Sequence, residues 1–567
     1  MAEPGIGLVE EPPKREPTPV ASLAFIPQKR AFEDDHSPAV PSPLNPDANA
    51  SELPPHDDVS LPKASKSGRI KKDSLKKREA KAGGRDSSPA TADYRAPREV
   101  DKVDSPLRYK LAPPKPSDFE LPRGPVLTFH HEITSCRGQA VEFFEASDHV
   151  FNKKNFRYTH CIADPLFPST LYYRQTEPEP FGPRMSYEDA ATSVFFDKSG
   201  RGVTTDKGFR MARANVAVRE GRWYWECKIT QGVRESREPG AKPQGGRHVR
   251  MGWARREASL DAPVGFDAYS YGIRDVAGEK VFMSRPKDFF PAGDGIREGD
   301  VVGLEIQLPS EDLQRKIMSG TYNPAIDACD QEAAVPAAPE AANIVRDRVP
   351  IRFKAHTYFE KIEYHTTKEL EDLMNPSPTS SGALTSSSSS SSSSSEKPNP
   401  LHSLAALRTL PNSCIKIYKN GQLVGTAFEN LLGFLPPASK PQQQVGAREG
   451  LDDGMLGYYP AVSVFRGGAA QVNFGPDFWF PPPEYEPESS LGGEADTAGS
   501  RRTRLRGLYG RYREQIAEDI VYDIIDEVDF WMQDGGGATD KTGVQQKSDA
   551  VATAPGREEI KELIQDY

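Results

Sequence analysis

GVTTDKGFRMARANVAVREGRWYWECKIT, Gly202 to Thr230, reads as short strands separated by turns, and the rest of the chain is organised around it. Trp223, Trp225 and Cys227 alternate with Tyr224 and Glu226, the period-two pattern of a strand with one buried face. The pattern returns in RHVRMGWARREASLDAPVGFDAYSYGIR (Arg247–Arg274), where Arg250 and Gly252 separate Val249, Met251 and Trp253. A further piece is EKVFMSRPKDFF, Glu279 to Phe290. Turns at Arg219-Glu220-Gly221 and Gly265-Phe266-Asp267 bound these runs. Two similar pieces lie far downstream. CIKIYKNGQLVGTAF (Cys414–Phe428) carries Asn420-Gly421, a strong signal for a two-residue hairpin. The other is YYPAVSVF with AAQVNFG, between Tyr458 and Gly475. Together they predict an all-β antiparallel sandwich with long insertions, and Trp223, Trp225 and Trp253 belong in its core.

The bounds agree with one such domain in a longer chain. Of 567 residues only 36% are hydrophobic and 51 are proline, so much of the length cannot bury a core. A formal net charge of −10 excludes a uniformly basic nucleic-acid binder and leaves only local patches for that purpose. The five cysteines (Cys136, Cys161, Cys227, Cys329, Cys414) are scattered without a Cys-x-x-Cys pair. They indicate neither a disulfide framework nor a zinc module, and point to a reducing compartment. No run approaches the roughly 18 apolar residues of a membrane span, and no signal peptide is evident. A soluble intracellular protein without membrane partners is expected.

Composition divides the chain. Residues 1–123 alternate proline, serine and charge and are expected to be disordered. Within them KASKSGRIKKDSLKKREAKAGGR (Lys63–Arg85) clusters Lys71, Lys72, Lys76, Lys77 and Arg78, a pattern suited to nuclear import or phosphate-backbone contact. Residues 124–201 form short β runs. The sandwich occupies 202–483, with insertions near 231–246, 310–346, 376–411 and 436–453, the third holding the serine tract Ser386–Ser395. A sandwich tolerates such loops because closure entropy grows only logarithmically with length. A linker (484–504), a helical segment (505–532) and a tail (533–567) follow.

No constellation for catalysis survives inspection. His130-His131-Glu132 begins like a zincin motif, but Ser135 stands where the second histidine is required. There is no dinucleotide loop, P-loop or nucleophile elbow. The histidines are dispersed without spaced partners for a metal. The sequence therefore predicts no enzyme, no cofactor and no metal.

The motif order resembles a SPRY domain, and more narrowly the SPRY subunit of COMPASS/MLL-type histone lysine-4 methyltransferase complexes, Bre-two in yeasts and absent-small-or-homeotic-discs-two-like in animals. KGFRMARAN, EGRWYWE, the APVGFDAYSYGIR run, GDVVGLEIQLP, IYKNGQLVGTAF and VNFGPDFWFPPP carry the likeness, with NKKNFRYTHCIADP ahead of them. It implies a nuclear, non-catalytic scaffold that works beside a SET-domain methyltransferase. It also implies that residues 124–201 wrap the sandwich and that the basic tract touches nucleosomal DNA. A pocket of arginines, a proline and an aromatic ring, carried over to Arg250, Pro263, Phe266 and Arg274, would take an acidic, aromatic-containing segment of a WD-repeat subunit. Phe266 stands where the animal proteins have tyrosine, so a hydroxyl contact is absent. Guanidinium forks suit carboxylates, and the ring and proline supply an apolar floor. From spacing alone Arg250 and Arg274 also read as ordinary exposed residues. The alternative function is a SPRY adaptor of another pathway such as ubiquitin ligation, which would bring a RING, B-box or SOCS-type segment that is not evident here.

YREQIAEDIVYDIIDEVDFWM (Tyr512–Met532) is the second interaction element. Ile516, Ile520, Ile524 and Val528 recur every fourth residue, with Ala517, Val521 and Ile525 beside them. Glu518, Asp519, Asp523, Asp526 and Asp529 fall on the opposite face. A helix of this length is marginal in water, so its apolar face needs a partner: the sandwich core or an external groove. The resemblance implies a small dimeric subunit of the Dumpy-thirty type, and the acidic face is expected to point outward.

Overall fold

The Asn420-Gly421 hairpin forms as its sequence predicts. Both residues have positive φ (49° and 82°), and they join the antiparallel strands Cys414–Lys419 and Gln422–Glu429. The computed structural model describes residues 114–120, 124–134, 138, 140–147, 158–163, 173–233, 246–327, 344–353, 356–375, 396–441, 450–486, 503–533 and 561–562. The Lys63–Arg85 tract, with Lys71, Lys72, Lys76, Lys77 and Arg78, and the serine tract lie outside these residues. In the last helix, side chains are described as far as Val528.

Two sheets, antiparallel but for one short parallel strand, make the sandwich. In the first, Gly221–Gln231 pairs with Val301–Leu308, which is followed outward by the Cys414–Glu429 hairpin. On its other side Gly221–Gln231 meets Ala469–Asn473, then Gly202–Thr204, Phe195–Phe196 and the hairpin Val126–Thr134/Ala140–Ser147. The second sheet runs Arg285–Lys287, Lys280–Phe282, Ser270–Arg274, His248–Ala254, Tyr459–Phe465, Arg210–Ala214, Met185–Ala190. Trp225 and Trp253, both fully buried, meet edge to face between the sheets at 6.2 Å between ring centroids. Val249, Met251 and Val462 from the second sheet and Leu304 and Ile306 from the first belong to the same core.

Several expectations are corrected. The strand Gly221–Gln231 is buried on both faces, because Tyr224 and Glu226 are as inaccessible as Trp225. The segment after Asn473 folds back over that second face: the Trp479 and Phe480 amides donate to the Glu226 carboxylate at 2.7 and 2.8 Å. Leu505 also packs there, against Tyr224 and Tyr418. Strict alternation therefore overstated solvent exposure. The insertions are also narrower than expected. Ser310 caps helix α1 (Glu311–Ser319), whose Leu313, Ile317 and Met318 enter the main core. Ala406, Leu407, Leu410 and Ala438, from the ends of the next two insertions, do the same, and between insertions helix α2 (Lys368–Met374) adds Leu370 to that core. Short apolar clusters flanked by polar runs carried too little periodicity to reveal this.

The segment ahead of the sandwich is divided among three sheets. Its first hairpin extends the first sheet and Met185–Ala190 joins the second. Tyr158–Ala163 and Tyr173–Gln175 instead build a third sheet with His356–Glu360 and Val349–Phe353, strands that come far later in the chain. His130 and His131 lie in the hairpin against aromatic rings, His130 stacked on Phe195 at 3.8 Å and His131 on Phe143 at 5.7 Å.

Candidate functional site

Arg250 and Arg274 face each other directly on neighbouring antiparallel strands, so both side chains leave the same face of the second sheet, opposite the core. Ser463 flanks Arg250 on the other side, and its hydroxyl oxygen accepts the Val264 N–H at 3.0 Å. That bond pins the Pro263–Phe266 turn onto the arginine face. The turn is internally closed by the Phe266 N–H to the Pro263 carbonyl at 3.0 Å. Gly265 sits at φ 84° with the Val281 carbonyl oxygen 2.5 Å from where a Cβ would stand, so both conformation and space demand glycine. Pro263 is half-buried, and Phe266 is 45% exposed at the tip. The four residues singled out from sequence thus share one face.

Two features of this face escaped the sequence. The Phe209 ring lies under the Arg250 guanidinium, 4.7 Å from its centroid, and packs against the Phe465 ring at 4.8 Å. The DKGFR turn gave a hint, since Phe209 lies just ahead of the Arg210–Ala214 strand. The second feature is Arg213, a buried guanidinium that grips Asp189 at 2.8 and 2.9 Å. Its Nη1 donates to the carbonyl oxygens of Arg255, Arg256 and Ala258 at 2.7, 3.0 and 3.0 Å, holding the start of the loop that carries Pro263 and Phe266. Farther along, the Asp267 carboxylate accepts the Ser259 and Tyr269 amides and the Ser270 hydroxyl.

The two arginines differ electrically. Arg274 is ion-paired to Glu279 within its own hairpin. Arg250 is pulled down to about 10 by burial and by repulsion from Arg274, which outweigh the attraction of Asp275. A carboxylate arriving beside Arg250 would relieve that stress, and Phe209, Pro263 and Phe266 offer an apolar border.

The second candidate surface is helix α3 (Leu508–Gln533). It is preceded by Leu505–Gly507, which adds in parallel to Gly221–Gln231. The Arg506 guanidinium covers the Trp223 ring at 4.4 Å. Leu508 is fully buried. Arg511 donates to the Ala217 carbonyl at 3.0 Å, and the Gln515 amide brackets Asn215 and Ala217. The first two turns are therefore anchored on the sandwich. Beyond them the predicted stripe is open: Ile516 is 36% exposed, and Ile520, Val521, Ile524, Ile525 and Val528 lie between 46% and 53%. The helix does not fold this stripe into the core.

Of the acidic face expected to point outward, Glu518 stays about half exposed and pairs with Arg511, whereas Asp519, Asp523 and Asp526 turn in. Arg346 Nη2 donates to Asp523 at 2.8 Å and also lies within 3.4 Å of Asp526, while its Nη1 reaches Asp519 at 3.4 Å. Arg348 joins at Asp523, 2.9 Å away. The reason is geometric. Asp519, Asp523 and Asp526 share one helical face, and Arg346 and Arg348, two residues apart just ahead of the strand Val349–Phe353, both reach Asp523. The sequence reading missed the arginines because 173 residues separate Arg346 from Asp519. Asp529 lies beyond the described side chains.

Among the described residues no group of three or more His, Cys, Asp or Glu side chains has metal-site geometry, and no helix is long and apolar enough to cross a membrane. No protein-family model matches the chain. Curated relatives do. The COMPASS component cclA of Colletotrichum higginsianum is 59% identical over 98% of both chains. The protein of the same name in Aspergillus fumigatus is 39% identical over 90% of this chain and 81% of its own. The COMPASS component BRE2 of Saccharomyces cerevisiae is 28% identical over 74% of this chain and 96% of its own. A crystallised human SPRY domain is matched over 51% of this chain and 98% of that one at 12% identity, with a TM-score of 0.21 that adds nothing to the assignment. The chain belongs to the family of COMPASS components that includes cclA and BRE2.

Proposed function

We propose that the protein is a nuclear, non-catalytic subunit of a histone lysine-4 methyltransferase complex, holding other subunits in place beside a SET-domain methyltransferase. The observation that carries this reading is the helix α3: anchored at its start and by its acids, it offers six aliphatic residues to an outside partner. Its occupant is a small dimeric subunit of the Dumpy-thirty type, taken up as a helix in a groove through Ile516, Ile520, Val521, Ile524, Ile525 and Val528. Arg250, Pro263, Phe266 and Arg274, with Phe209 beneath, receive an acidic segment of a WD-repeat subunit. The depressed pKa of Arg250 supports an anionic ligand there. Lys71, Lys72, Lys76, Lys77 and Arg78 add import or nucleosomal DNA contact. Affinity purification of the full chain from nuclear extract tests the proposal. Co-elution of a SET-domain protein, WD-repeat proteins and a small dimeric subunit is expected. Recovery of ubiquitin-ligase subunits in their place would overturn it.

A further inference from the structure

The geometry points to an electrostatic latch: we infer that Arg346 and Arg348 clamp the acidic face of helix α3 and so pre-form its apolar stripe for the partner. The inference rests on the dimer-docking reading for its consequence but not for its mechanism. Arg346 is 7% exposed and Asp523 6%, so their 2.8 Å contact is shielded from solvent screening. Arg348 converges on the same Asp523 oxygen at 2.9 Å. Arg346 also donates to the Asp519 main-chain carbonyl at 3.4 Å and lies 5.3 Å from the centroid of the Tyr522 ring. Its grip therefore includes the helix backbone and an aromatic face, besides three carboxylates.

The latch arginines have a firm base. Ile344 forms a β-bridge with Asp452, and the Val345 amide donates to the Asp452 carbonyl at 2.8 Å. On the other side Val349–Phe353 enters the third sheet, and the Arg348 guanidinium covers the Phe359 ring at 5.1 Å. The third sheet thus has a task, fixing two arginines opposite the helix. A helix of this length is marginal alone, and anchoring only its first two turns leaves Ile520–Val528 to fray. Clamping at Asp519, Asp523 and Asp526 covers those turns from behind. Apparent affinity falls in proportion to the fraction of helix already formed, so a chain whose unlatched stripe is about one-tenth formed binds about tenfold more weakly.

The experiment compares the full chain with Arg346→Ala/Arg348→Ala and, from the helix side, Asp523→Asn. Amide hydrogen exchange over 516–528 is read without partner, and affinity is read with a purified Dumpy-thirty-type dimer. Both variants should lose at least about tenfold protection in that segment while the strands carrying Trp225 and Trp253 keep theirs, and dimer affinity should fall about tenfold. Unchanged protection in Asp523→Asn and in the arginine variant overturns the latch. Lost protection with unchanged dimer affinity refutes its role in docking. If the intact chain ignores the dimer, the docking reading fails, and the exchange measurement still decides the latch by itself. Should the arginine variant lose protection in the sandwich strands too, Asp523→Asn alone carries the decision.

Discussion

Replacing Ile520 and Ile524 together by alanine separates docking from folding. In the chain by itself Ile520 is 47% exposed and Ile524 46%, so about half of each side chain is already covered and half remains for a partner. Removing a fully buried isoleucine side chain costs about 2–5 kcal/mol in packed cores. Assigning half of that to the docking step gives about 1–2.5 kcal/mol per residue. For the pair the loss is about 2–5 kcal/mol, a weakening between about thirtyfold and a few thousandfold. Alanine is the better helix former, which offsets a few tenths of a kcal/mol of any lost intrachain packing. Titration calorimetry of the full-length variant with the purified dimer measures the first effect, and thermal unfolding of the sandwich measures the second. Lost binding with unchanged unfolding is the expected result. A variant that binds normally while its sandwich melts several degrees lower would show that these residues serve the core and refute the argument.

Arg250→Ala should weaken binding of an acidic WD-repeat peptide by about 2–5 kcal/mol, measured by fluorescence anisotropy at physiological salt, with the fold intact by circular dichroism. Arg213→Met should cost about 3–5 kcal/mol in denaturant unfolding, because it removes the buried guanidinium that pairs with Asp189 and frees the loop that carries Pro263 and Phe266. The helix should respond to pH. Burial, opposed by Arg346 and Arg348 and reinforced by Asp523, raises Asp519 and Asp526 to about 6, with Glu518 a further acidic neighbour of Asp519. A carboxyl whose pKa rises when the helix packs beside Arg346 holds its proton more tightly in that packed state. Its contribution is fully present below about pH 4 and is lost as pH rises through about 6. Exchange protection of 516–528, corrected for intrinsic rates, should therefore increase from pH 7 to 5, and Asp519→Asn/Asp526→Asn should flatten the dependence. Deleting Lys63–Arg85 should reduce nucleosome affinity and the steepness of its salt dependence, while WD-peptide binding stays the same.

The sequence by itself determined the sandwich, because its strands announce themselves locally. Alternation in WYWEC and VRMGW, the Asn420-Gly421 turn and the four-residue spacing of isoleucines are properties of a few adjacent residues, set by backbone geometry. They also marked the apolar stripe of α3, whereas Arg250 and Arg274 read from spacing alone as ordinary exposed residues and were singled out only through the family resemblance. Tertiary structure alone decided what lies across long sequence separations. Tyr224 and Glu226 look solvent-facing until residues near Trp479 and Leu505 return to cover them. Phe209 becomes the floor of the arginine face only when the strand that follows it, Arg210–Ala214, pairs beside Tyr459–Phe465. The acidic face of α3 reads as an outer surface until Arg346 and Arg348 arrive from the base of a third sheet. Charge gives no periodic signature of its partner: a row of carboxylates is equally consistent with water and with buried guanidiniums, and only folding chooses between them.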